Sequence, residues 1–223
     1  MASRPTIAFS SEEAIGGLSY TSKMPGPSYS LSAHRCKTGA KLAQDPKSPC
    51  ASCYAMRGRY VFPNVVNAHE RRYAALSRPD WLHHMVRAIE NACEQTVPYF
   101  RWFDSGDVQS VQMMNNIISI AQELPHIRFW LPTQEWEFLD RTYFIPRNLV
   151  IRLSCRKRGI NVTRPNWPTT SSVAHFSKPK LEQATQNQSA DAWVCPAKLQ
   201  SNTCGACRAC WKPSIKHIIY PQH

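Results

Sequence analysis

Three short runs of aromatic and β-branched residues, beginning at Tyr99, Ile127 and Leu149, constrain the fold more than any other feature of the chain. They read Tyr99-Phe100-Arg101-Trp102-Phe103, Ile127-Arg128-Phe129-Trp130-Leu131 and Leu149-Val150-Ile151-Arg152-Leu153. Each is short, largely apolar and fits a buried strand. Between the first two, Val111, Met114, Ile118 and Ala121 fall at helical spacing, with Asp107 or Ser110 placed as N-cap. Ahead of the first run, Asp80 is placed to cap a helix whose apolar face is Leu82, Met85, Val86, Ile89 and Cys93. Pro79 separates it from a more polar helix around Asn64 to Ser77. Strands alternating with helices in this way read as βα units on a parallel sheet.

Ser28-Tyr29-Ser30-Leu31-Ser32 supplies an earlier strand, which brings the count to roughly four units, half of a closed βα barrel of about 250 residues. The expected fold is therefore α/β, a partial βα barrel. After Ser154 the chain turns rich in Thr, Ser, Asn and Pro and loses its periodicity. The division expected is a βα core over residues 1–154 and an irregular, cysteine-rich wrapping segment over 155–223.

The 223 residues contain no run near the roughly 18 apolar residues that a membrane span requires. Met1-Ala2-Ser3-Arg4-Pro5 leads into Ser10, Glu12 and Glu13 rather than into an apolar signal segment, so a cytoplasmic protein with no membrane partner is expected. In a reducing compartment nine cysteines point to metal binding or redox chemistry rather than to disulfides.

Seven of them fall into two sets. In Cys204-Gly205-Ala206-Cys207-Arg208-Ala209-Cys210, two successive two-residue gaps let three thiolates converge on one side of a loop, and Cys195 can close the site. Bacterial ferredoxins use such gaps for a cubane [4Fe–4S] cluster; four thiolates also suit tetrahedral zinc. The other set is Cys36, Cys50 and Cys53, with His34 the nearest further candidate. Three thiolates leave one iron of a [4Fe–4S] cluster open, and an open position is what metal catalysis needs. Cys93 reads as a core residue, and Cys155, beside Arg156 and Lys157, as either structural or reactive through a lowered pKa.

The net charge is +12, unevenly spread. Between Asp140 and Glu182 there is no acid, while Arg141, Arg147, Arg152, Arg156, Lys157, Arg158, Arg164, Lys178 and Lys180 lie there. Such a field attracts polyanions, which makes DNA or RNA a candidate partner; it equally keeps a surface solvated or balances the charge of a cluster.

Several segments together resemble the phage "gene product 88" family: Lys23-Met24-Pro25-Gly26-Pro27-Ser28-Tyr29, Cys50-Ala51-Ser52-Cys53-Tyr54-Ala55, Phe100-Arg101-Trp102-Phe103-Asp104-Ser105-Gly106-Asp107, Arg128-Phe129-Trp130-Leu131-Pro132-Thr133 and Cys204 to Trp211. The resemblance implies a phage or prophage origin, hence the cytoplasm of an infected cell. More distantly, the chain is similar to radical SAM enzymes. In those a cysteine loop after the first barrel strand holds a [4Fe–4S] cluster whose open iron binds S-adenosylmethionine. Cys36, Cys50 and Cys53 would take that place, with Gly106 and Asp107 where a glycine-acid motif contacts the cofactor's amino group. The first cysteine gap departs from that pattern, holding 13 residues where three are usual, and Ser52 stands where an aromatic usually precedes the third cysteine.

Ligand-binding side chains of parallel βα folds gather beyond the C-terminal ends of the strands. There the sequence places Asp104, Asp107 and Glu135 as candidate catalytic acids and bases, and Tyr54, Gly106 and Ser154 as candidate cofactor contacts. Helix capping is the competing role for Asp107. The function expected is that of an iron–sulfur protein, an enzyme acting on or near nucleic acid. Its rivals are a basic binding module stapled by zinc or clusters, and an electron-transfer protein.

Overall fold

The three apolar runs lie side by side as neighbouring parallel strands. The structure, a computed structural model, describes residues 10–139 and 144–222; the reading of Met1 to Pro5 and the basic Arg141 lie outside them. The strands are β1 (Ser28–Tyr29), β2 (Tyr99–Trp102), β3 (Arg128–Thr133), β4 (Leu149–Ser154), β5 (Thr170–Ala174), β6 (Trp193–Val194) and β7 (His217–Pro221). They form one open seven-stranded sheet in the order β1-β2-β3-β4-β5-β7-β6. Every neighbouring pair is parallel.

The helices are α1 (Ser11–Ala14), α2 (Lys37–Leu42), α3 (Pro63–Ala75), α4 (Trp81–Glu94), α5 (Val111–Glu123) and α6 (Lys178–Gln186). None is long and apolar enough to cross a membrane among the described residues. Ser110, rather than Asp107, caps α5, its hydroxyl accepting the Met113 N–H at 3.1 Å. Asp80 stands at the N-cap of α4 but makes no capping bond; its carboxylate takes two bonds from the Arg78 guanidinium instead. Val111 opens the apolar stripe of α5 in sequence yet is exposed, while Met114, Ile118 and Ala121 are buried.

Side chains alternate across the sheet, so each strand sends half its residues to either face. One face carries Phe100, Trp102, Phe129, Leu131, Ile151 and Leu153 and packs against α4 and α5 in the main core. The register continues that face through Thr170 and His217 to Ala174, Val194 and Ile219, which meet Leu181 of α6. The opposite face carries Trp130, Ile218, Trp193 and Tyr220 and is covered by the segment around Cys207, Cys210 and Trp211.

The region after Ser154, expected to be irregular, thus supplies three strands and a helix. Thr170-Ser171-Ser172-Val173-Ala174 has no hydrophobic signature, because β4 and β7 flank it and complete its hydrogen bonds. Its small hydroxyls serve a neighbour: Thr170 Oγ1 lies 2.7 Å from His217 Nδ1, and Ser172 Oγ 3.0 Å from Nε2. Burial holds the His217 pKa down at about 4, with Arg164 and Arg152 acting in the same direction.

An unfolded histidine takes its proton near 6.5. As pH falls from 6.5 towards 4 the unfolded chain therefore gains a proton that the folded one refuses, and the folded state loses stability. The difference in urea stability between the native protein and His217→Gln isolates the imidazole. It should change by roughly 3 kcal/mol across that window at about 1.4 kcal/mol per pKa unit, the native protein losing ground on acidification.

Candidate functional site

The N-terminal cysteine loop is built onto the C-terminal ends of the strands by three side chains. Cys36 directly precedes α2, whose first turn is anchored by Glu135 from the end of β3: its carboxylate accepts the Thr38 N–H at 2.9 Å and the Thr38 hydroxyl at 2.6 Å. A carboxylate at a helix N-terminus satisfies an otherwise unpaired donor and opposes the helix dipole. Ser48 accepts the Cys50 N–H at 3.2 Å. Arg158, from the loop after β4, donates to the Pro46 carbonyl at 3.0 Å and the Ser52 hydroxyl at 2.6 Å. Gly39 lies between the two thiols: a Cβ there would be tight against Cys36 Cβ at 3.0 Å and in ordinary contact with Cys36 Sγ at 3.7 Å and Cys50 Sγ at 3.8 Å.

Cys36 and Cys50 are held protonated. Burial pushes Cys36 well above the ordinary thiol range, with Asp107, Cys53, Cys50 and Glu135 adding to the shift. Burial likewise raises Cys50 to about 11.

The three candidate carboxylates gather at this rim, and each is already hydrogen-bonded. Asp104 Oδ1 accepts from Ser28 at 3.0 Å and from Ser30, and Oδ2 accepts from Tyr60 at 3.2 Å. Asp107 accepts from the Thr133 hydroxyl at 2.6 Å and from the Gln134 and Val108 amides, both at 2.8 Å. Those bonds pull its pKa down, but burial outweighs them and lifts it to about 7. Tyr54 donates to the Asp104 carbonyl. Gly106 has φ +77°, and a Cβ on it would meet Leu31 at 2.7 Å, so close packing of two strand ends suffices to require glycine there. Ser154 sits 3.3 Å from Ser171 at the end of β4. His34 is exposed on the turn before Cys36. Cys93 is buried in the main core. Cys155 is buried too, and burial raises its pKa to about 11, the reverse of the activation its basic neighbours suggested.

The C-terminal set lies against the other face of the sheet. Cys195 follows β6, and Cys207, Cys195 and Cys210 join one apolar cluster with Trp130 and Trp211. The Cys207 N–H donates to the Cys204 carbonyl at 2.9 Å, closing the tight loop, and Cys204 donates to the Lys23 carbonyl at 2.8 Å. Burial raises the pKa of Cys195 and Cys204, and that of Cys210 to about 12. Cys210 Sγ is 3.3 Å from the Tyr220 hydroxyl.

Arg152, which the sequence placed among surface charges, is fully buried in β4 and fixes this segment. It donates to the carbonyls of Cys210 at 3.0 Å, Ile215 at 2.8 Å, Ala209 at 3.1 Å and Lys212 at 2.9 Å. Lys23 and Arg101 are further cations near these cysteines: Lys23 acts on Cys195 and Cys204, and Arg101 on Cys204. The signal for Arg101 and Arg152 was present in the sequence. Each stands inside an apolar strand run, where alternation directs it to the face opposite the main core.

Among the described residues, no three His, Cys, Asp or Glu side chains converge as the ligands of one metal ion do. A single zinc needs four donors within about 2.0–2.3 Å of its centre. A cubane is itself several atoms across and takes thiolates that stand further apart. Buried polar atoms without a partner among the described residues occur beside both sets. They are Gln134 Oε1 and the Nε atoms of Arg156 and Arg158 at the rim, and Trp130 Nε1, Trp193 Nε1 and Arg101 Nε at the C-terminal set.

A family model described as Gene product 88 matches residues 7–213, which span both cysteine sets and the sheet. The chain belongs to the gene product 88 family. Membership supports reading it as a phage protein. No curated protein and no solved structure matches the chain, so the likeness to radical SAM enzymes gains no support from comparison.

Arg152→Met would leave the Cys210 and Ile215 carbonyls without a donor, while those of Ala209 and Lys212 keep a backbone N–H, at about 1–3 kcal/mol for each group left buried and unpaired. Urea unfolding should show a loss of at least about 2 kcal/mol. Exchange protection of the 209–215 amides should fall before that of β3.

Proposed function

We propose that this gene product 88 protein is an iron–sulfur protein with two cluster sites, and that the N-terminal site is the reactive one. One observation carries the reading: Glu135 and Arg158 tie the loop of Cys36, Cys50 and Cys53 to the C-terminal ends of β3 and β4, where parallel βα folds hold their ligands, with Cys36 and Cys50 Sγ both beside Gly39. Three thiolates leave one corner of a [4Fe–4S] cluster for an outside ligand, and S-adenosylmethionine is the candidate. When bound, the cluster would supply an electron to that ligand. Strands β1 to β5 adjoin in chain order and the packed helices lie on one face, which supports a partial barrel related to that of radical SAM enzymes.

The chain's own residues then act as follows. Glu135 and Arg158 hold the two halves of the cysteine loop at fixed positions. Asp107, with its pKa near 7, keeps a carboxyl that can hold or release a proton at neutral pH beside Cys36. Gln134 Oε1, buried and unpaired, offers an acceptor to an amine of the bound ligand. The substrate class we assign is polyanionic, a DNA or RNA, on the net charge of +12. Arg152, Arg156 and Arg158 have internal partners, Arg156 over Trp136 at 4.3 Å, while Arg147, Lys157, Arg164, Lys178 and Lys180 face solvent.

Protein purified without oxygen should be brown and contain iron and acid-labile sulfide. Alanine at Cys36, Cys50 and Cys53 together should remove about half of the iron. S-adenosylmethionine should alter the EPR spectrum of one cluster and leave the other unchanged. Zinc without sulfide would overturn the reading and favour a structural binding module.

Binding to single-stranded and duplex nucleic acid should weaken with salt. Glu at Lys157, Lys178 and Lys180 should reduce the salt slope by about one unit for each phosphate that is no longer neutralised. Unchanged binding in that variant would remove the polyanion assignment.

A further inference from the structure

Three N–H groups around the C-terminal cysteines have no acceptor among the described residues, and they come from three different strands. Trp130 Nε1 is on β3, Trp193 Nε1 on β6 and Arg101 Nε on β2. The register places Trp130 beside Arg101 on the face turned from the main core, and Trp193 beside Ile218 on that same face. Leaving a buried donor unpaired costs about 1–3 kcal/mol. Trp102 and Trp136 Nε1 are likewise unpaired at the main core, but among the described residues only here do two indoles of one cluster and an arginine stacked on one of them stand beside Cys195, Cys207 and Cys210.

The surroundings say what kind of acceptor. Trp211, in the same cluster, donates its indole N–H to the Phe100 carbonyl at 2.8 Å, so the fold does satisfy an indole there when backbone is within reach. Arg101 is fixed: one terminal nitrogen donates to Met24 Sδ at 3.4 Å, the other to the Phe103 carbonyl at 3.2 Å, and its guanidinium stacks on Trp130 at 4.4 Å. Its Nε is buried and has no partner among the described residues. All three unpaired groups are donors, they accompany four cysteines, and Arg101, Arg152 and Lys23 bring positive charge to the same region. Their common complement is an anion with several acceptor atoms.

We propose that Trp130, Trp193 and Arg101 donate hydrogen bonds to the sulfur atoms of an iron–sulfur cluster held by Cys195, Cys204, Cys207 and Cys210, and thereby set its reduction potential. The inference rests on the two-cluster reading and extends it from ligands to the groups around them. N–H donors stabilise the more negative, reduced cluster, so they raise its reduction potential. A single zinc ion offers no inorganic sulfide to satisfy these donors.

The test uses the full chain purified anaerobically, with Trp130→Phe and Trp193→Phe made separately. Iron, sulfide and zinc are measured first, then the midpoint potential of the S-adenosylmethionine-insensitive EPR signal. The expected result is unchanged iron and sulfide and a more negative potential in each variant. The shift should be at least tenfold in the redox equilibrium, about 59 mV for one electron. Unchanged potentials with iron and sulfide present would overturn this proposal and leave the two-cluster reading standing. Zinc without sulfide in the native protein would overturn both. Should Trp130→Phe fail to fold, Trp193→Phe decides alone, since Trp193 lies on the two-residue edge strand.

Discussion

A buried guanidinium with no carboxylate among its hydrogen-bond partners holds this molecule together. Removing Arg152 from water carries a cost of several kcal/mol, which the fold offsets with four carbonyls from one stretch, Ala209 to Ile215. Those carbonyls belong to turns that no sheet partner satisfies, so the segment and the arginine each need the other. Trp211 is seated by the same contact: its ring meets Trp130 edge-on at 5.2 Å and its N–H reaches the backbone of β2. Without that anchor the cysteines at 204, 207 and 210 would have no fixed relation to the sheet.

The same device recurs at the other cysteine set. Glu135 and Arg158, both from loops at strand ends, reach across to the backbone and hydroxyls of the loop carrying Cys36, Cys50 and Cys53. Asp104 and Asp107 do this between strand ends, Asp104 joining β2 to β1 and Asp107 joining β2 to β3. The charged residues of the interior are first of all struts. A rim whose carboxylates are held in place by several bonds each is preorganised, and preorganised polar groups are what a reactive site requires.

Much of this was legible in the sequence, for reasons that differ by element. Strands β2, β3 and β4 have one face in the main core and the other under a second apolar cluster, so their runs are nearly continuous and easily seen. Helices α4 and α5 show their periodicity because only one face of each is buried. By contrast β5 is built of Thr and Ser that pack around His217, and no hydropathy pattern marks such a strand. The short apolar run Ile218-Ile219 carried a strand too, but lay past a stretch that read as loop. The cysteine sets were legible from spacing alone, while their supports were legible only in part: Arg152 is marked by its place inside an apolar run. Arg158 stands in a basic segment, and composition cannot separate an arginine that faces water from one that satisfies backbone. Gly106 read as a cofactor contact, but the approach of Leu31 already accounts for it.

Covering one face of the sheet with residues from the far end of the chain has a consequence for how the protein is made. On the ribosome β1 to β5 and their helices emerge first, and the helix-backed core can close on its own local contacts. Trp130, Tyr99 and Arg101 then wait on a bare surface until Cys210, Trp211 and Ile215 have been synthesised. During that interval the nascent chain carries an exposed aromatic face, a template for wrong association. Docking of Trp211 and of the carbonyls that Arg152 holds closes that face, so the last residues to be made decide how long it stays open.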